Sequence, residues 1–450
     1  MQRFDLIIIG AGSGNSIIGP DHDGMNVALV ERGLFGGTCL NVGCIPSKMF
    51  VYAAEIAELA KRGPELGVHT RFDGADWPTI RDRVFGRIDP IAAGGEDYRK
   101  GLDNVTVFQH DARFVGPKQL QVGDEIITAD QIVVAAGARA FVPPIPGIDE
   151  VGIDTSDTIM RVDELPERLI VMGGGYIAAE LGSVFGSFGS EVTYLMRSDT
   201  MLRGQDHDIS SRITKIYGER FTTHYNVFIE GISRDDSGDI VVALRDGTQV
   251  RGDRLLVASG RIPNGDQLGV AETGVALDAD GYVISDEYGR TNVDGIWALG
   301  DITNPVQLKH VANLEARVVS HNLTHPEDLR PLDQAPVPAA VFSHPQIGSV
   351  GLTEQQCEAQ NLPFKAHVQG YDSAAYGWAM EDTESICKVI VDTETRLLLG
   401  AHIMGPQAST LVQQLIQGMV FGLTVDQMAT GQYYIHPALP EVIEQALLEL

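Results

Sequence analysis

The chain has few basic residues, few cysteines and no long apolar run. Its 450 residues include 33 Lys and Arg against 61 Asp and Glu, so the formal net charge is −28 at pH 7. A surface of this charge repels phosphate backbones and anionic lipids, which argues against nucleic-acid and membrane partners. No apolar run approaches the roughly 18 residues of a membrane span, so the sequence predicts no transmembrane helix.

Only four cysteines occur, at positions 39, 44, 357 and 387, which excludes a secreted disulfide scaffold. The apolar run at residues 4–9 is too short for a secretory signal and has no cleavage site, so we expect a cytoplasmic protein. A close pair such as Cys39 and Cys44 in that compartment indicates redox chemistry or a metal. Cys357 and Cys387 are expected to be buried or incidental thiols.

The first 35 residues have the pattern of a dinucleotide-binding fold. The apolar residues 6–9 predict a buried parallel strand, and Gly10-Ala11-Gly12-Ser13-Gly14-Asn15 follows it. A second strand at residues 27–30 ends at Glu31, at the spacing of an acidic residue that binds ribose. The glycines let backbone N–H groups approach a pyrophosphate, and the N-terminus of a short helix would favour that anion. The alternative is a tight turn without a ligand. Asn15 takes the third glycine position, and Gly19-Pro20 soon interrupts the helix.

The same pattern returns at mid-chain. A strand at residues 169–172 precedes Gly173-Gly174-Gly175-Tyr176-Ile177-Ala178, and a helix to about Phe188 leads to a strand from Glu191 to Met196. This strand ends in Arg197 instead of an acid, and Arg203 follows six residues later. Two guanidinium groups suit the 2′-phosphate of NADPH, although solvated surface charges are the alternative.

Two further segments complete the predicted architecture. Residues 291–301 predict a strand that ends in Gly300-Asp301, whose carboxylate can bind a ribityl hydroxyl. From residue 337 the glycine motifs stop, and strand-like runs precede helical ones. We therefore predict an α/β protein with two Rossmann-like dinucleotide-binding domains and a C-terminal α+β module that would form an interface. The predicted boundaries are 1–146 and 264–335 for the first nucleotide-binding domain, 147–263 for the second and 336–450 for the C-terminal module. The family that the whole set of motifs resembles implies that these are the FAD-binding, NADPH-binding and dimerisation domains.

The segment that decides the chemistry runs from Gly36 to Lys48 and contains Cys39 and Cys44. Their i, i+5 spacing does not place them on one face of a regular helix, but a distorted first turn can bring the sulfurs together. A helix N-terminus also favours the thiolate form. Zinc would need further Cys or His at ligand spacing, and a structural disulfide is a third reading. The sequence favours a redox-active disulfide.

The C-terminus carries His436-Pro437-Ala438-Leu439-Pro440-Glu441. A His five residues before a Glu can be oriented by it, as a general acid–base group requires. A structural histidine is the alternative.

Together these motifs resemble the flavin-dependent pyridine nucleotide–disulfide oxidoreductases, and the resemblance covers the chain from Asp5 to Glu441. It implies a homodimer that uses FAD and NADPH to reduce the disulfide of a small thiol compound. The alternatives within the family are a dihydrolipoamide dehydrogenase, which shares the cysteine segment, and another reductase of low-molecular-weight disulfides. A flavin-bound but catalytically silent subunit is the alternative outside enzymes, and the two cysteines with His436 and Glu441 argue against it.

The resemblance also assigns roles to matching positions. Cys39 would attack the substrate, Cys44 would lie nearest the flavin, and His436 of the partner subunit would transfer the proton. The catalytic positions are Cys39, Cys44, Lys48, Glu180, His436 and Glu441. FAD contacts are expected at Gly10, Gly12, Ser13, Gly14, Glu31, Gly37, Thr38, Lys48, Gly137, Gly300 and Asp301. NADPH contacts are expected at Gly173, Gly174, Gly175, Tyr176, Ile177, Glu180, Arg197, Arg203, Gly260 and Arg261. Tyr176 would cover the flavin until the nicotinamide arrives. No metal site is predicted.

Overall fold

The computed structural model describes residues 1–332 and 336–450. The strands of the first part are β1 (Gln2–Ile9), β2 (Val27–Val30), β3 (Val105–Phe108), β4 (Ala112–Gly116), β5 (Gln119–Val122), β6 (Glu125–Val134) and β7 (Ala138–Ala140). Its helices are α1 (Gly37–Asn41), α2 (Cys44–Arg62) and α3 (Trp77–Lys100).

The middle of the chain repeats strands and helices in a similar order. Its strands are β8 (Arg168–Met172), β9 (Glu191–Leu195), β10 (Thr222–His224), β11 (Ile229–Arg234), β12 (Ile240–Leu244), β13 (Gln249–Gly252) and β14 (Arg254–Val257). Its helices are α4 (Tyr176–Phe188) and α5 (His207–Arg220).

The last part begins with β15 (Arg261–Pro263), α6 (Gly265–Leu268), β16 (Ile296–Ala298) and α7 (Lys309–Thr324). The remaining strands are β17 (Ala339–Val341), β18 (Ile347–Gly351), β19 (Phe364–Gly370), β20 (Ile386–Asp392) and β21 (Leu398–Met404). The remaining helices are α8 (Glu354–Ala359), α9 (Ala375–Ala379), α10 (Ala408–Val420), α11 (Val425–Thr430) and α12 (Pro440–Leu448).

Short 3₁₀ turns connect many of these elements. They lie at Gly14–Ile17, Pro20–His22, Gly63–Leu66, Ile148–Glu150, Ile159–Arg161, Val270–Thr273, Gly300–Ile302 and Tyr371–Ser373.

The first sheet has the strand order β3-β2-β1-β6-β5-β4, and β16 also pairs with β6. β1 lies parallel to both β2 and β6, and β16 lies parallel to β6. The carboxyl ends of parallel strands meet at one edge, which is where dinucleotides bind in such sheets. This arrangement brings Gly10, Glu31 and Gly300 to the same edge, although they are far apart in the sequence.

A second parallel sheet, ordered β10-β9-β8-β14, carries the mid-chain glycine turn. β8, α4 and β9 lie within a few residues of their predicted positions. A three-stranded antiparallel sheet, β11-β12-β13, extends this unit. The chain enters the unit after β7 and leaves it through β15, and these two strands pair with each other. The pairing places Ala140 opposite Arg261 and so brings the two nucleotide-binding edges close together.

The helix predicted after the first glycine turn is absent, and that prediction was wrong. Two 3₁₀ turns, Gly14–Ile17 and Pro20–His22, take its place. Gly19 adopts extended backbone angles between them. Pro20 lacks the N–H group that would continue a helix through this point.

The C-terminal part forms a five-stranded antiparallel sheet, ordered β17-β18-β21-β20-β19, with α10 packed against it. This confirms the predicted α+β module. The predicted domain boundary between residues 335 and 336 lies partly outside the described residues, because residues 333–335 are not described. Among residues 1–332 and 336–450, no helix combines the length and apolarity needed to cross a membrane.

One core cluster ties the helices near the cysteines to the mid-chain unit. Phe50 of α2 stacks on Trp77 of α3 at a ring-centroid distance of 5.1 Å. Trp77 in turn packs against Phe185 of α4, 5.2 Å away. Because these rings are buried together, α2 lies against α4 in a defined position.

Candidate active site

The two cysteines meet at a break between α1 and α2. α1 ends at Asn41 and α2 begins at Cys44, so Val42 and Gly43 interrupt what would be one helix. A Cβ atom on Gly43 would lie 2.9 Å from the carbonyl oxygen of Thr38, so the close turn requires glycine. The distortion brings Cys39 and Cys44 to within about 2.8 Å of each other despite their i, i+5 spacing.

The two thiols differ in their affinity for a proton. A hydrogen bond donated by Cys39, together with the charge of Lys48, lowers the pKa of Cys44 to about 7. Cys39 donates this hydrogen bond to Cys44 and is partly buried, and both effects raise the pKa of Cys39. Cys44 therefore holds the thiolate near neutral pH, and Cys39 holds the proton.

Lys48 forms an ion pair with Glu180 across the α2–α4 contact. Its Nζ lies 2.7 Å from Oε2 and 2.9 Å from Oε1 of Glu180. Glu180 is 5% exposed and also accepts a hydrogen bond of 2.8 Å from the backbone N–H of Phe342. Lys48 stands one turn after Cys44 on α2, so its charge is held beside the thiolate.

The first glycine turn has the shape of a phosphate-binding edge. Gly10 has a φ of 110°, and a Cβ atom there would lie 2.3 Å from the carbonyl oxygen of Ala135. A Cβ atom on Gly37 would lie 2.8 Å from the Cα of Gly12, so the turn and the start of α1 are in direct contact. Thr38 and Gly14 belong to the same two segments.

A cavity of about 610 Å³ opens beside this turn. Its lining includes Gly10, Glu31 and Asn264. The Glu31 carboxylate accepts hydrogen bonds from the backbone N–H groups of Ala11 (2.7 Å) and Gly33 (2.8 Å). The cavity fits the adenosine end of a dinucleotide, with Glu31 placed to meet ribose hydroxyls.

Asp301 lies at the same edge, in the 3₁₀ turn Gly300–Ile302 that follows β16. Burial raises the pKa of Asp301, and the charges of Arg261 and Lys309 oppose that rise. The backbone N–H of Gly300 donates a hydrogen bond of 2.6 Å to Glu315, which holds the turn. A Cβ atom on Gly137, after β6, would meet nothing within 4 Å, so space for a ligand remains there. These residues fit FAD, because they offer a glycine turn for a diphosphate and carboxylates for sugar-like hydroxyls.

The mid-chain turn offers a second nucleotide site. A Cβ atom on Gly173 would lie 2.3 Å from the carbonyl oxygen of Ala258, whereas Gly175 faces open space. The N–H of Leu202 donates to the carbonyl of Gly174 at 2.7 Å, which draws the loop from Arg197 to Arg203 against the turn.

Arg197 and Arg203 are both exposed. No carboxylate of the described residues lies within 4 Å of either guanidinium. Two positive groups without a counter-charge, on a chain of net charge −28, are suited to an added phosphate.

Tyr176 stands where the two nucleotide edges meet. It begins α4, directly before Ile177, and is 48% exposed. The charges of Arg261, Asp301 and Glu180 all act on its phenol. Gly260 has a φ of 126° and faces open space beside Arg261. A ring at this position lies between the predicted NADPH site and the predicted flavin site.

His436 and Glu441 are joined as the sequence suggested. The Nδ1 of His436 lies 2.7 Å from Oε1 of Glu441, and Oε2 accepts from the N–H of Ala438 at 3.0 Å. The hydrogen bond with His436 lowers the pKa of Glu441. The imidazole side chain is 74% exposed, so its other nitrogen faces away from Glu441 toward the surroundings.

Several residues at this site were not predicted from the sequence. A cavity of about 640 Å³ beside Cys44 is lined in part by Tyr52, Arg83, Arg87 and Phe342, which come from three separate segments. Lys309, at the start of α7, contacts the first glycine turn. A lysine at a helix N-terminus is electrostatically unfavourable, and this could have drawn attention to it. The other residues carry no local signal, because only tertiary packing brings α2, α3 and the segment after β17 together.

Cys357 and Cys387 are both fully buried, as predicted. Within the described part of the chain, no group of three or more His, Cys, Asp or Glu side chains is placed to hold a metal ion.

Comparison with known proteins gives the same family over nearly the whole chain. Residues 4–316 match the model of the pyridine nucleotide-disulphide oxidoreductases, and residues 337–447 match the dimerisation domain of the same family. A mycothione reductase from Mycobacterium tuberculosis is 48% identical, with all of both chains covered. A dihydrolipoyl dehydrogenase from Haloferax volcanii is 32% identical, over 98% of this chain and 95% of that protein.

A solved structure gives the same result for the fold. The HOCl-induced flavoprotein disulfide reductase RclA from Escherichia coli, in its Cu(II) complex, superposes with a TM-score of 0.89. It is 28% identical, and all of both chains are covered. With two family models, full-length relatives and a shared fold in agreement, this chain belongs to the pyridine nucleotide–disulphide oxidoreductases, enzymes that use flavin and nicotinamide cofactors.

Proposed function

We propose that this enzyme reduces mycothione, the disulfide of mycothiol, to two thiols at the expense of NADPH. The observation that carries the proposal is the contact between Cys39 and Cys44, with one thiol at a pKa of about 7 beside the predicted flavin site. The full-length identity of 48% to a mycothione reductase supports the choice of substrate. Three segments, Gly12 to Ser16, Lys48 to Glu55 and His436 to Glu444, are also similar in sequence to mycothione reductases.

The proposal assigns FAD to the first glycine turn and NADPH to the second. When bound, FAD relays two electrons from NADPH to the cysteine pair. On the chain itself, the turn from Gly10 to Gly14 would hold the diphosphate, while Glu31 and Asp301 would bind hydroxyl groups. Arg197 and Arg203 would hold the 2′-phosphate of NADPH. We accordingly propose residues 1–146 and 264–335 as the FAD-binding domain, 147–263 as the NADPH-binding domain and 336–450 as the dimerisation domain.

The reaction then proceeds by exchange of sulfur bonds. The thiolate of Cys39 attacks one sulfur of the substrate disulfide, so the substrate S–S bond breaks and one thiolate leaves. The Cys44 thiolate next attacks the sulfur of Cys39 in the mixed disulfide. The second substrate sulfur departs as a thiolate and takes up a proton from solvent, and the Cys39–Cys44 bond forms again. Each cycle consumes one NADPH and one proton and yields two thiols.

A base is needed because Cys39 is the thiol that holds the proton. We propose the partner subunit's His436 for this role, oriented by its hydrogen bond to Glu441. The base would take the proton of Cys39 and return it to the leaving thiolate. His436 is exposed on its own chain, as are Ile435 (74%) and Tyr433 (105%) beside it. An exposed apolar segment of this kind favours burial against another subunit.

Steady-state kinetics would test the substrate. Mycothione, glutathione disulfide and lipoamide are each compared with NADPH and with NADH as the electron donor. We expect the highest kcat/KM for mycothione with NADPH. A clear preference for lipoamide with the NAD couple would instead identify a dihydrolipoamide dehydrogenase.

Two further measurements test the role of the cysteines. Anaerobic addition of NADPH to the yellow protein should produce a long-wavelength absorbance band from the Cys44 thiolate against the flavin. Cys39→Ser should abolish mycothione turnover while flavin reduction by NADPH continues. Turnover near the wild-type rate in Cys39→Ser would show that the attacking thiol has been assigned wrongly.

A further inference from the structure

The first glycine turn lacks the helix that would normally supply positive potential to a bound diphosphate. The second turn is followed by α4, a helix of 13 residues, whereas the first is followed by a 3₁₀ turn of four residues. The positive potential at a helix N-terminus comes from several turns of aligned peptide dipoles. A single 3₁₀ turn supplies little of it. Positive charge for a diphosphate at this turn must therefore come from other parts of the chain.

A buried arginine takes over the support of the turn. Arg99, in the last turn of α3, is 9% exposed. Its Nε donates to Oδ1 of Asn15 at 2.7 Å, and its Nη2 donates to the carbonyls of Asn15 (2.7 Å) and Ile18 (3.3 Å). The two carbonyls among these acceptors are groups that a regular helix would have paired within itself.

The charge of Arg99 is not neutralised by a side chain. Among the described residues, no carboxylate lies within 4 Å of its guanidinium. A buried cation without a counter-charge is costly, and its burial lowers the pKa of Arg99. The cost falls when an anion binds nearby.

A lysine from a distant helix reaches the same turn. Lys309 begins α7, a helix of 16 residues with no acid in its first turn. Its Nζ donates to Oγ of Ser13 at 2.8 Å, and this hydroxyl donates to Oδ1 of Asn313 at 3.2 Å. A cation at a helix N-terminus meets the positive end of the dipole, so its position is unfavourable until an anion is present.

The surroundings of Lys309 place its charge inside the cofactor cleft. Its charge opposes the rise in the pKa of Asp301 and of Cys39. Ser13, Asp301 and Cys39 come from three separate segments, and all three lie at the edge assigned to the flavin nucleotide. The ammonium group of Lys309, which is bonded to Ser13 of the glycine turn, is therefore within reach of a dinucleotide bound along that edge.

We propose that Lys309 binds the diphosphate of FAD directly, and that Arg99 is a positioning residue that holds Asn15 and the glycine turn in their binding conformation. The inference rests on the proposed function in taking FAD as the bound dinucleotide. Two side chains from α3 and α7 thus perform the task of a helix N-terminus at this turn.

The rate of FAD release from the holoenzyme tests the role of Lys309. Release is followed after dilution by the recovery of flavin fluorescence. Since a hydrogen bond to a charged group is lost, Lys309→Met should release FAD about 10- to 100-fold faster than the wild type. Lys309→Arg should stay close to the wild type, and Lys100→Met, which removes an exposed lysine beside Arg99, serves as the matched control. Release from Lys309→Met within twofold of the wild type would overturn the proposal.

The midpoint potential of the bound flavin distinguishes the diphosphate from the flavin ring. If Lys309 binds the diphosphate, Lys309→Met should release FAD faster and keep the midpoint potential of the wild type. A lower potential with unchanged release would place Lys309 at the ring and contradict the proposal.

A double-mutant cycle tests the role of Arg99 through Asn15. Arg99→Met and Asn15→Ala should each accelerate FAD release, and the double variant should release FAD little faster than Arg99→Met alone. Purely additive effects would show that Arg99 does not act through Asn15. Binding of NADPH at the second turn, measured in the same variants, should remain at the wild-type level and shows that the fold is intact.

Failure of the proposed function and failure of the inference about Lys309 give different results. If the wild-type protein retains no FAD, the proposed function itself fails. If the wild type holds FAD and reduces mycothione while Lys309→Met releases FAD normally, only the inference about Lys309 fails.

Discussion

At the scale of single residues, the protonation of two neighbouring sulfurs determines which of them can act. Cys44 has a pKa of about 7 because Cys39 donates a hydrogen bond to it and Lys48 lies nearby. Lys48 is in turn held by Glu180, which is buried and also bonded to the backbone of Phe342. The protonation state of Cys44 therefore depends on residues from α2, α4 and the C-terminal part.

The pH dependence of the thiolate follows from this environment. Because the pKa of Cys44 is lowered, its thiolate is present above about pH 7 and is lost as the pH falls through that value. The long-wavelength absorbance of the reduced protein should rise and fall accordingly. Lys48→Met removes the stabilising charge and leaves Glu180 unpaired, so the midpoint should move upward by about 1 pH unit.

Two controls belong to that titration. Lys61→Met removes a lysine at the far end of α2 and should leave the midpoint unchanged. Lys48→Met combined with Glu180→Gln should move the midpoint less than Lys48→Met alone, since the unpaired carboxylate is also gone. A midpoint that stays at the wild-type value in Lys48→Met would contradict the assigned cause.

The choice of nicotinamide cofactor is also a matter of single residues. Arg197→Ala removes a guanidinium proposed to bind the 2′-phosphate, so kcat/KM for NADPH should fall about 10- to 100-fold. NADH lacks that phosphate and should be affected by less than about threefold on the same argument. Arg245→Ala, an exposed arginine elsewhere in the mid-chain unit, is the control. Equal losses of kcat/KM for both cofactors would show that Arg197 does not bind the 2′-phosphate.

At the scale of elements, the break between α1 and α2 creates the cysteine pair. A continuous helix would separate residues 39 and 44 around its circumference. The turn at Val42 and Gly43 brings them together, and the absence of a side chain on Gly43 permits the close approach to Thr38. The amide of Asn41 supports the turn by donating to the carbonyls of Phe35 (2.9 Å) and Gly37 (3.0 Å).

Gly43→Ala should therefore disturb both the fold and the redox pair. Its Cβ would lie 2.9 Å from a backbone oxygen, so the turn must open, at a cost of about 1–3 kcal/mol. We expect a lower thermal midpoint and a weaker long-wavelength band after reduction. Gly94→Ala in α3 is the matched control, because its Cβ meets nothing within 4 Å. That substitution should stabilise the protein by about 0.5–1 kcal/mol. A normal band in Gly43→Ala would mean that the pair does not depend on this turn.

At the scale of the whole molecule, contacts between the units hold the site together. Lys388 of β20 is 1% exposed and lies 2.8 Å from Asp206 and 2.6 Å from Asp208, at the start of α5. This pair of contacts joins the C-terminal sheet to the unit that carries Arg197 and Arg203. In the proposed function, a second copy of the chain would bring its His436 to these cysteines.

Hybrid dimers test that requirement. Cys39→Ser and His436→Ala should each be inactive as homodimers. In a hybrid dimer, the His436→Ala subunit supplies an intact Cys39 and the Cys39→Ser subunit supplies an intact His436. One of the two sites is therefore complete. Equal mixing with full exchange makes half the dimers hybrid, so about a quarter of the wild-type activity should return. Activity is measured before and after unfolding and refolding the mixture together. If mixing restores nothing, both residues act within one chain or His436 has another role.

Much of the site could be predicted because short sequence patterns determine local structure. The apolar residues 6–9, the glycine turns and the spacing to Glu31 identified the first nucleotide unit, and the same pattern identified the second. The pairing of His436 with Glu441 was also accessible, because the two lie only five positions apart where the chain enters α12. The confirmed α+β module came from the same alternation of apolar runs.

The sequence by itself determined which residues would form strands, where the glycine turns would lie and which two cysteines would meet, since backbone preferences and hydrophobic periodicity act over a few residues. The tertiary structure alone decided that Arg99 and Lys309 would contact the first turn, and that Phe342, Arg83 and Arg87 would lie beside Cys44. Those contacts join residues tens to hundreds of positions apart. They depend on how buried faces of separate helices pack, which no local pattern encodes.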